Sequence, residues 1–264
     1  MLAAMCLLRV VGLVLLALPL TSCQSSIPEA QADPAPSVPI PAKSAVAVVE
    51  LFTSEGCSSC PPADAILADL SASRGVYALS FHVDYWDDLG WPDRFASAEN
   101  TARQRAYARS FGARGLYTPQ MIVGGREPFV GSDREHANTA ISRELAVAPV
   151  VFLALHARRT ADGSVAIDYT APEAPRGSLL NVAVVERAVS TAVRGGENAG
   201  KTLKHVNVVR TFTVAPLASP VGSTVVPVPP ALRPQDAEII AYAQGESTEG
   251  GAAPVLGAAS APIP

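Results

Sequence analysis

The chain has 264 residues and a net charge of −4, from 20 Lys and Arg against 24 Asp and Glu, with a sequence pI of about 5.6. The length suits one large domain or two small ones. No basic patch stands out, which excludes nucleic acid as an expected partner.

Residues 1–22 read as a targeting segment, to be set aside before the fold is considered. Arg9 precedes an apolar run from Val10 to Leu20 that is too short to span a bilayer comfortably. Leu20-Thr21-Ser22-Cys23 resembles the bacterial lipobox. That resemblance implies cleavage before Cys23 and lipidation of it. Gln24 rather than Asp behind it implies sorting to the outer membrane, with the protein in the periplasm. The alternative is an ordinary secretory signal with an incidental cysteine; on either reading the protein is exported. Residues 23–44 are rich in Pro, Ala and Ser and read as an extended tether.

Residues 45–147 follow as one pattern. AVAVVELF (45–52) is a continuous apolar run, as for a strand buried on both faces. A helix is expected next, with Pro62 in its first turn and Ile66, Leu67 and Leu70 on one face. GVYALSFHV (75–83) reads as a second buried strand, parallel to the first. SAENTARQRAYARSFG (97–112) reads as a helix capped by Ser97 and ended by Gly112. PQMIVGGREPFVG (119–131) reads as a hairpin turning at Gly124-Gly125. A helix over 132–146 opens with Ser132 and Glu135 in capping-box spacing. The order is β-α-β-α-β-β-α, an α/β fold.

Residues 148–245 change character. PVVFLALHA, SVAIDYTA, SLLNVAVVERAV, KTLKHVNVVRTFTVA and EIIAYAQ are short alternating or apolar segments. They predict a mostly-β unit, either a small β domain or an extension of the first sheet. Residues 246–264, rich in Gly, Ala and Pro, read as a flexible tail.

The chemistry concentrates in ELFTSEGCSSCPPAD (50–64). Four cysteines occur, Cys6, Cys23, Cys57 and Cys60. With Cys6 lost to the targeting segment and Cys23 lipidated, Cys57 and Cys60 are left as a self-contained pair in an oxidising compartment. Redox pairs and zinc knuckles share this spacing; a strand before the pair and a helix after it point to the redox reading. A helix N-terminus stabilises a thiolate, and the thiolate is the reactive form. The spacing lets the second thiol attack a mixed disulfide formed by the first. Cys57 is the expected nucleophile and Cys60 the resolving thiol.

In SFHVDYWDDLGWPDRF (80–95), the end of the second strand emerges on the cysteine edge. His82 is a candidate proton shuttle or metal ligand there, with a satisfied core histidine as the alternative. Asp84 is a candidate base, and Trp86 and Trp91 read as packing. Glu197 and Asn198 lie in a polar loop before a strand that carries His205. A mobile hairpin loop is the plainer reading; folding back onto the cysteine edge is the functional one.

Together VELFTSEGCSSCPPAD, SFHVDYWDDLGWPDRF, YTPQMIVGG and GENAGKTLKHVNVVR resemble the domain-of-unknown-function 1223 family, exported bacterial proteins grouped with the thioredoxin-like superfamily. The resemblance covers nearly all of residues 45–245. It implies a thioredoxin-like fold with a family-specific C-terminal part, and no substrate. The wider superfamily carries over to Cys57, Cys60 and Pro119. In that fold a cis-proline faces the cysteine pair, with Thr118 before it here; an X-Pro bond has only a modest trans preference, and the alternative is that Pro119 simply starts a strand. Ser58-Ser59 departs from the usual Gly-Pro, and Pro61 follows the second cysteine.

Three functions follow as expectations. The first is a thiol-disulfide oxidoreductase without a bound cofactor, its partners cysteine-containing envelope proteins or a thiol reductase. The second is a copper carrier using Cys57, Cys60 and His82, since soft thiolates select Cu(I). The third is an envelope interaction module with a static disulfide.

Overall fold

A computed structural model describes residues 44–247, 251 and 253–264. The targeting segment, Cys6, Cys23 and nearly all of the tether lie outside the described residues. In chain order the first half holds β1 (Ala47–Thr53), α1 (Pro61–Ser71), β2 (Val76–His82), α2 (Ala98–Ser110), β3 (Gln120–Val123), β4 (Glu127–Val130) and α3 (Arg134–Leu145). The second half holds β5 (Ala154–Arg159), β6 (Val165–Thr170), β7 (Leu179–Ala192), β8 (Thr202–Pro216), β9 (Val221–Val226), β10 (Ala237–Gln244) and β11 (Val255–Pro262).

Every residue of β1 is buried, as its unbroken apolar run predicts. Its alternate side chains feed two cores. Ala47, Val49 and Leu51 meet Ala63, Ile66, Leu67 and Leu70 of α1 and Ala137, Ala140 and Ile141 of α3. Val48 and Phe52 meet Leu79 and Phe81 of β2 and Tyr107 of α2. Burying one such leucine stabilises the fold by about 1.5–3 kcal/mol. Ser97 caps α2 by accepting from the Asn100 N–H, and Gly112 follows with φ of 66°. The α3 cap differs from expectation: Asp133, not Ser132, accepts from the His136 N–H at 3.0 Å. Gly124 and Gly125 turn the β3–β4 hairpin at positive φ, and a side chain on Gly125 would strike the Ala253 carbonyl.

β2 runs parallel to β1, and β3 pairs antiparallel on the other side. One sheet then spans both halves of the chain, in the order β11-β10-β7-β8-β2-β1-β3-β4. The join is narrow. Ser80 pairs with Val208, and the side chain of Asn207, at φ 46°, donates to the Ala78 carbonyl at 3.1 Å. Of the two arrangements expected for the second half, both occur: β7, β8, β10 and β11 extend the first sheet, while β5, β6 and β9 form a separate antiparallel sheet. A third core fills the space between Val165 and Ile167 of β6 and Leu180, Val182, Val184, Ile239 and Ala241 of the large sheet.

The reading of 246–264 as a flexible tail is corrected. β11 pairs along β10 from Glu238↔Pro262 to Gln244↔Val255, and Leu256, Ala261 and Ile263 are buried. Its small residues let it pack closely: a side chain on Gly257 would overlap the Val151 carbonyl. β7 and β8, with 14 and 15 residues, make a long hairpin whose tip reaches the end of β1 where the cysteines sit.

Candidate functional site

The chain leaves β1 at Thr53 and turns through Ser54–Ser59 into α1. Cys57 N–H donates to Ser54 O, and Cys60 N–H to Cys57 O. Cys60 is the N-cap of α1, with Pro61 behind it and no side-chain cap. Its carbonyl accepts from Ala63 and Asp64. The two cysteines form a disulfide with Cα atoms 5.4 Å apart. Both are wholly buried, whereas Ser58 and Ser59 are exposed.

The Thr118–Pro119 bond is cis. The Ser59 hydroxyl lies 3.3 Å from the Cys57 sulfur and donates to the Thr118 carbonyl at 3.5 Å. The Thr118 hydroxyl accepts from Trp86 Nε1 at 2.9 Å. Trp86 therefore fixes the wall beside the pair, besides packing over Gly56. Asp84 is engaged elsewhere: its carboxylate accepts from Thr101 of α2 at 2.6 Å.

The polar loop after β7 folds back onto the cysteine turn. Glu197 accepts from the Ser58 N–H at 3.1 Å, and the Ser58 side chain, together with that N–H, holds its carboxyl below the ordinary glutamate range. Asn198 is buried, and its amide donates to the carbonyls of Glu55 and Cys57, each at 2.9 Å. Lys201 bonds its remaining oxygen at 2.9 Å. A polar side chain aimed at carbonyls from another element docks the loop more firmly than its Gly-rich composition suggests.

Behind the disulfide lies a cluster the sequence reading did not assemble. His82 Nδ1 meets Asp93 Oδ2 at 2.6 Å, with both side chains buried. Burial disfavours the charged imidazole, but Asp93, then Asp64 and Glu55, outweigh it and hold the His82 pKa above 6.5. For Asp93, burial works upward, and the charge and hydrogen bond of His82 bring the net shift below 3.8. The ring of His205 stands edge-on to His82, centroids 4.6 Å apart. His205 Nε2 faces Glu55 Oε1 at 3.7 Å and its Nδ1 faces Asp64 Oδ2 at 3.5 Å. Trp91 Nε1 donates to the other Glu55 oxygen at 2.8 Å, a role beyond packing. Glu55 Oε1, both Asp64 oxygens, His82 Nε2 and both His205 nitrogens are buried without a hydrogen-bond partner. Among the described residues, no group of three or more His, Cys, Asp or Glu is arranged to hold a metal ion.

Sequence signals for these residues existed. Glu55 stands two before Cys57, and Asp64 stands one helical turn after Cys60. His205 and Leu203 alternate inward along a predicted strand. Nothing local ties Asp93, eleven residues on, to His82.

A disulfide at a strand-to-helix turn, closed over by a hairpin from the far half of a mixed sheet, defines an α/β protein with a cysteine-pair corner. The family model described as "Protein of unknown function (DUF1223)" matches residues 48–244, and the chain belongs to that family. A solved structure of protein AGR_C_4864 from Agrobacterium tumefaciens is similar at 31% identity and TM-score 0.64, over 84% of this chain and 96% of that one. HBP35 of Porphyromonas gingivalis shares the fold at TM-score 0.59 and 11% identity, over 83% of this chain and 76% of that one. No protein with a curated description matches the sequence.

Proposed function

We propose that the protein is an exported, lipid-anchored, thioredoxin-like thiol-disulfide oxidoreductase acting through Cys57 and Cys60. The observation that carries the reading is the disulfide at the head of α1, with Ser59 linking the Cys57 sulfur to the Thr118 carbonyl beside Pro119. In the reduced protein the Cys57 thiolate attacks a substrate disulfide and one substrate sulfur leaves. Cys60 then attacks Cys57 Sγ, the Cys57–substrate bond breaks, and the second substrate sulfur leaves. The protein loses two electrons and the substrate gains them. Partners are cysteine-containing envelope proteins or a thiol reductase. The anchor is the lipid on Cys23; no helix among the described residues is long and apolar enough to cross a membrane.

The test is insulin reduction with a dithiol donor. Cys57→Ser is expected to abolish it, and undiminished activity in that variant sinks the reading. Cys60→Ser is expected to accumulate a mixed disulfide at Cys57, which also identifies the partner. Full burial of both cysteines favours a second reading, a static disulfide in an interaction module. A bond that withstands mild reductant, in a protein whose double Cys→Ser variant keeps its phenotype, selects it.

A further inference from the structure

The buried cluster behind the disulfide has a direction. At one end is Asp64, one turn beyond Cys60 on α1, where residues four apart share a helix face. At the other is Glu55, beneath an open cleft of about 380 Å³ whose walls include Trp91, Arg94, Thr191 and Arg194. His205 spans the gap with one ring nitrogen toward each carboxylate. Imidazole is the side chain that can take a proton on one nitrogen and release it from the other.

Both separations, 3.5 and 3.7 Å, exceed a good hydrogen bond, so no fixed tautomer is locked in. That is unusual for a side chain with no exposure, because buried polar atoms are ordinarily satisfied. A buried group left unsatisfied asks for an explanation, and a role in redox or catalytic chemistry is one. The charged groups around His205 come from several elements. They are Glu55 after β1, Asp64 on α1, and His82 on β2 with Asp93 behind it. Arg94 and Arg210 lie over the Phe95 ring, whose centroid is 6.4 Å from that of His205.

Resting on the oxidoreductase reading, we propose that Asp64, His205 and Glu55 form a proton conduit from Cys60 to the Trp91–Arg94 cleft. Its central residue is supplied by the hairpin of the second half of the chain. When Cys60 attacks the mixed disulfide, its S–H bond breaks and the proton passes to Asp64, through His205 from Nδ1 to Nε2, and out by Glu55. The Cys60 electron pair forms the new S–S bond, and the departing substrate thiolate takes up a proton from solvent. Reduction runs the same path inward.

The experiment treats the reduced protein with the chromogenic disulfide of 5-thio-2-nitrobenzoate. The first thiolate released reports attack by Cys57 and the second reports closure by Cys60. His205→Gln is expected to slow the second phase at least tenfold near pH 6 and leave the first unchanged, in keeping with the size of general acid–base effects. The deficit is expected to close as pH rises past the ordinary thiol range of about 8.5, where hydroxide replaces the conduit. Glu55→Gln and Asp64→Asn, which keep side-chain volume, are expected to show the same selective slowing, and they carry the test should His205→Gln fold poorly. Equal slowing of both phases, or a deficit unchanged with pH, marks a structural histidine and overturns the conduit. A wild-type protein that releases no second thiolate at any pH overturns the oxidoreductase reading itself.

Discussion

Two polar clusters are buried in this molecule, and they differ in how completely their atoms are used. On the α2 face of the sheet, Arg103 donates to both oxygens of Glu50 at 2.5 and 2.8 Å and to the Tyr242 hydroxyl at 2.6 Å. Tyr107 donates to Glu50 at 2.6 Å, and Gln244 donates to Tyr107 at 3.0 Å. Burial alone would push Arg103 toward neutrality; Glu50 holds its pKa well above the ordinary value. None of these five residues leaves a buried side-chain polar atom unpartnered, whereas the cluster at the cysteine corner leaves six. A satisfied network ties β1, α2 and β10 together and specifies one arrangement. The other leaves those six atoms without hydrogen bonds, the arrangement on which the proposed conduit rests.

The largest test of that contrast is Arg103→Ala. It strands the Glu50 carboxylate in the core, and breaking a buried pair in this way costs about 3–5 kcal/mol. Urea unfolding is the measurement; a loss under about 1 kcal/mol would show that the network does not organise the fold. Next comes Asn198→Ala, which leaves the carbonyls of Glu55 and Cys57 without their donor. Its expected cost is about 1–3 kcal/mol, with faster amide exchange at Ser58 as the loop lifts. Unchanged exchange there would mean that the loop docks by other contacts.

How far the site could be read from sequence follows the same division. Cys57 and Cys60 were legible because strand, cysteine pair and helix are local patterns; Thr118-Pro119 stood out only through the family resemblance, since an X-Pro before a strand is by itself an ordinary strand start. The order of the first seven elements was legible because periodicity and caps act over a few residues. The docking of Glu197 and Asn198 was visible only as an alternative, because a Gly-rich polar loop looks the same whether free or docked. His205 depends on the register of a 15-residue strand that meets β2 at one pair, Ser80↔Val208. β11 was hidden by composition: Gly, Ala and Pro read as unstructured, yet small residues are what an edge strand packed against Val151 requires.

The His82–Asp93 pair gives a pH test. Asp93 sits below its ordinary value of 3.8, so its contribution is present above that pH and is lost as pH falls through the depressed value. His82 sits above 6.5, so its contribution is full below 6.5 and is lost as pH rises through the raised value. The pair is expected to stabilise most between 3.8 and 6.5. In Asp93→Asn both limbs should flatten, so the gap to wild type in urea midpoint is widest near pH 5 and narrows toward pH 8. Parallel curves would mean that the two groups are not coupled.

The smallest expected change separates the clusters most sharply. Asp64→Asn removes a buried charge whose oxygens have no hydrogen-bond donor, so relief of desolvation opposes the loss of attraction to His205. Stability is expected to stay within about 1 kcal/mol of wild type, whereas Glu50→Gln, a change of the same kind that leaves Arg103 buried and unpaired, should cost about 3–5 kcal/mol. If Asp64→Asn proves as damaging as Glu50→Gln, both clusters are scaffolding. If it leaves the fold intact and slows only closure of the Cys57–Cys60 bond, the atoms left unpartnered beneath the disulfide are there for its chemistry.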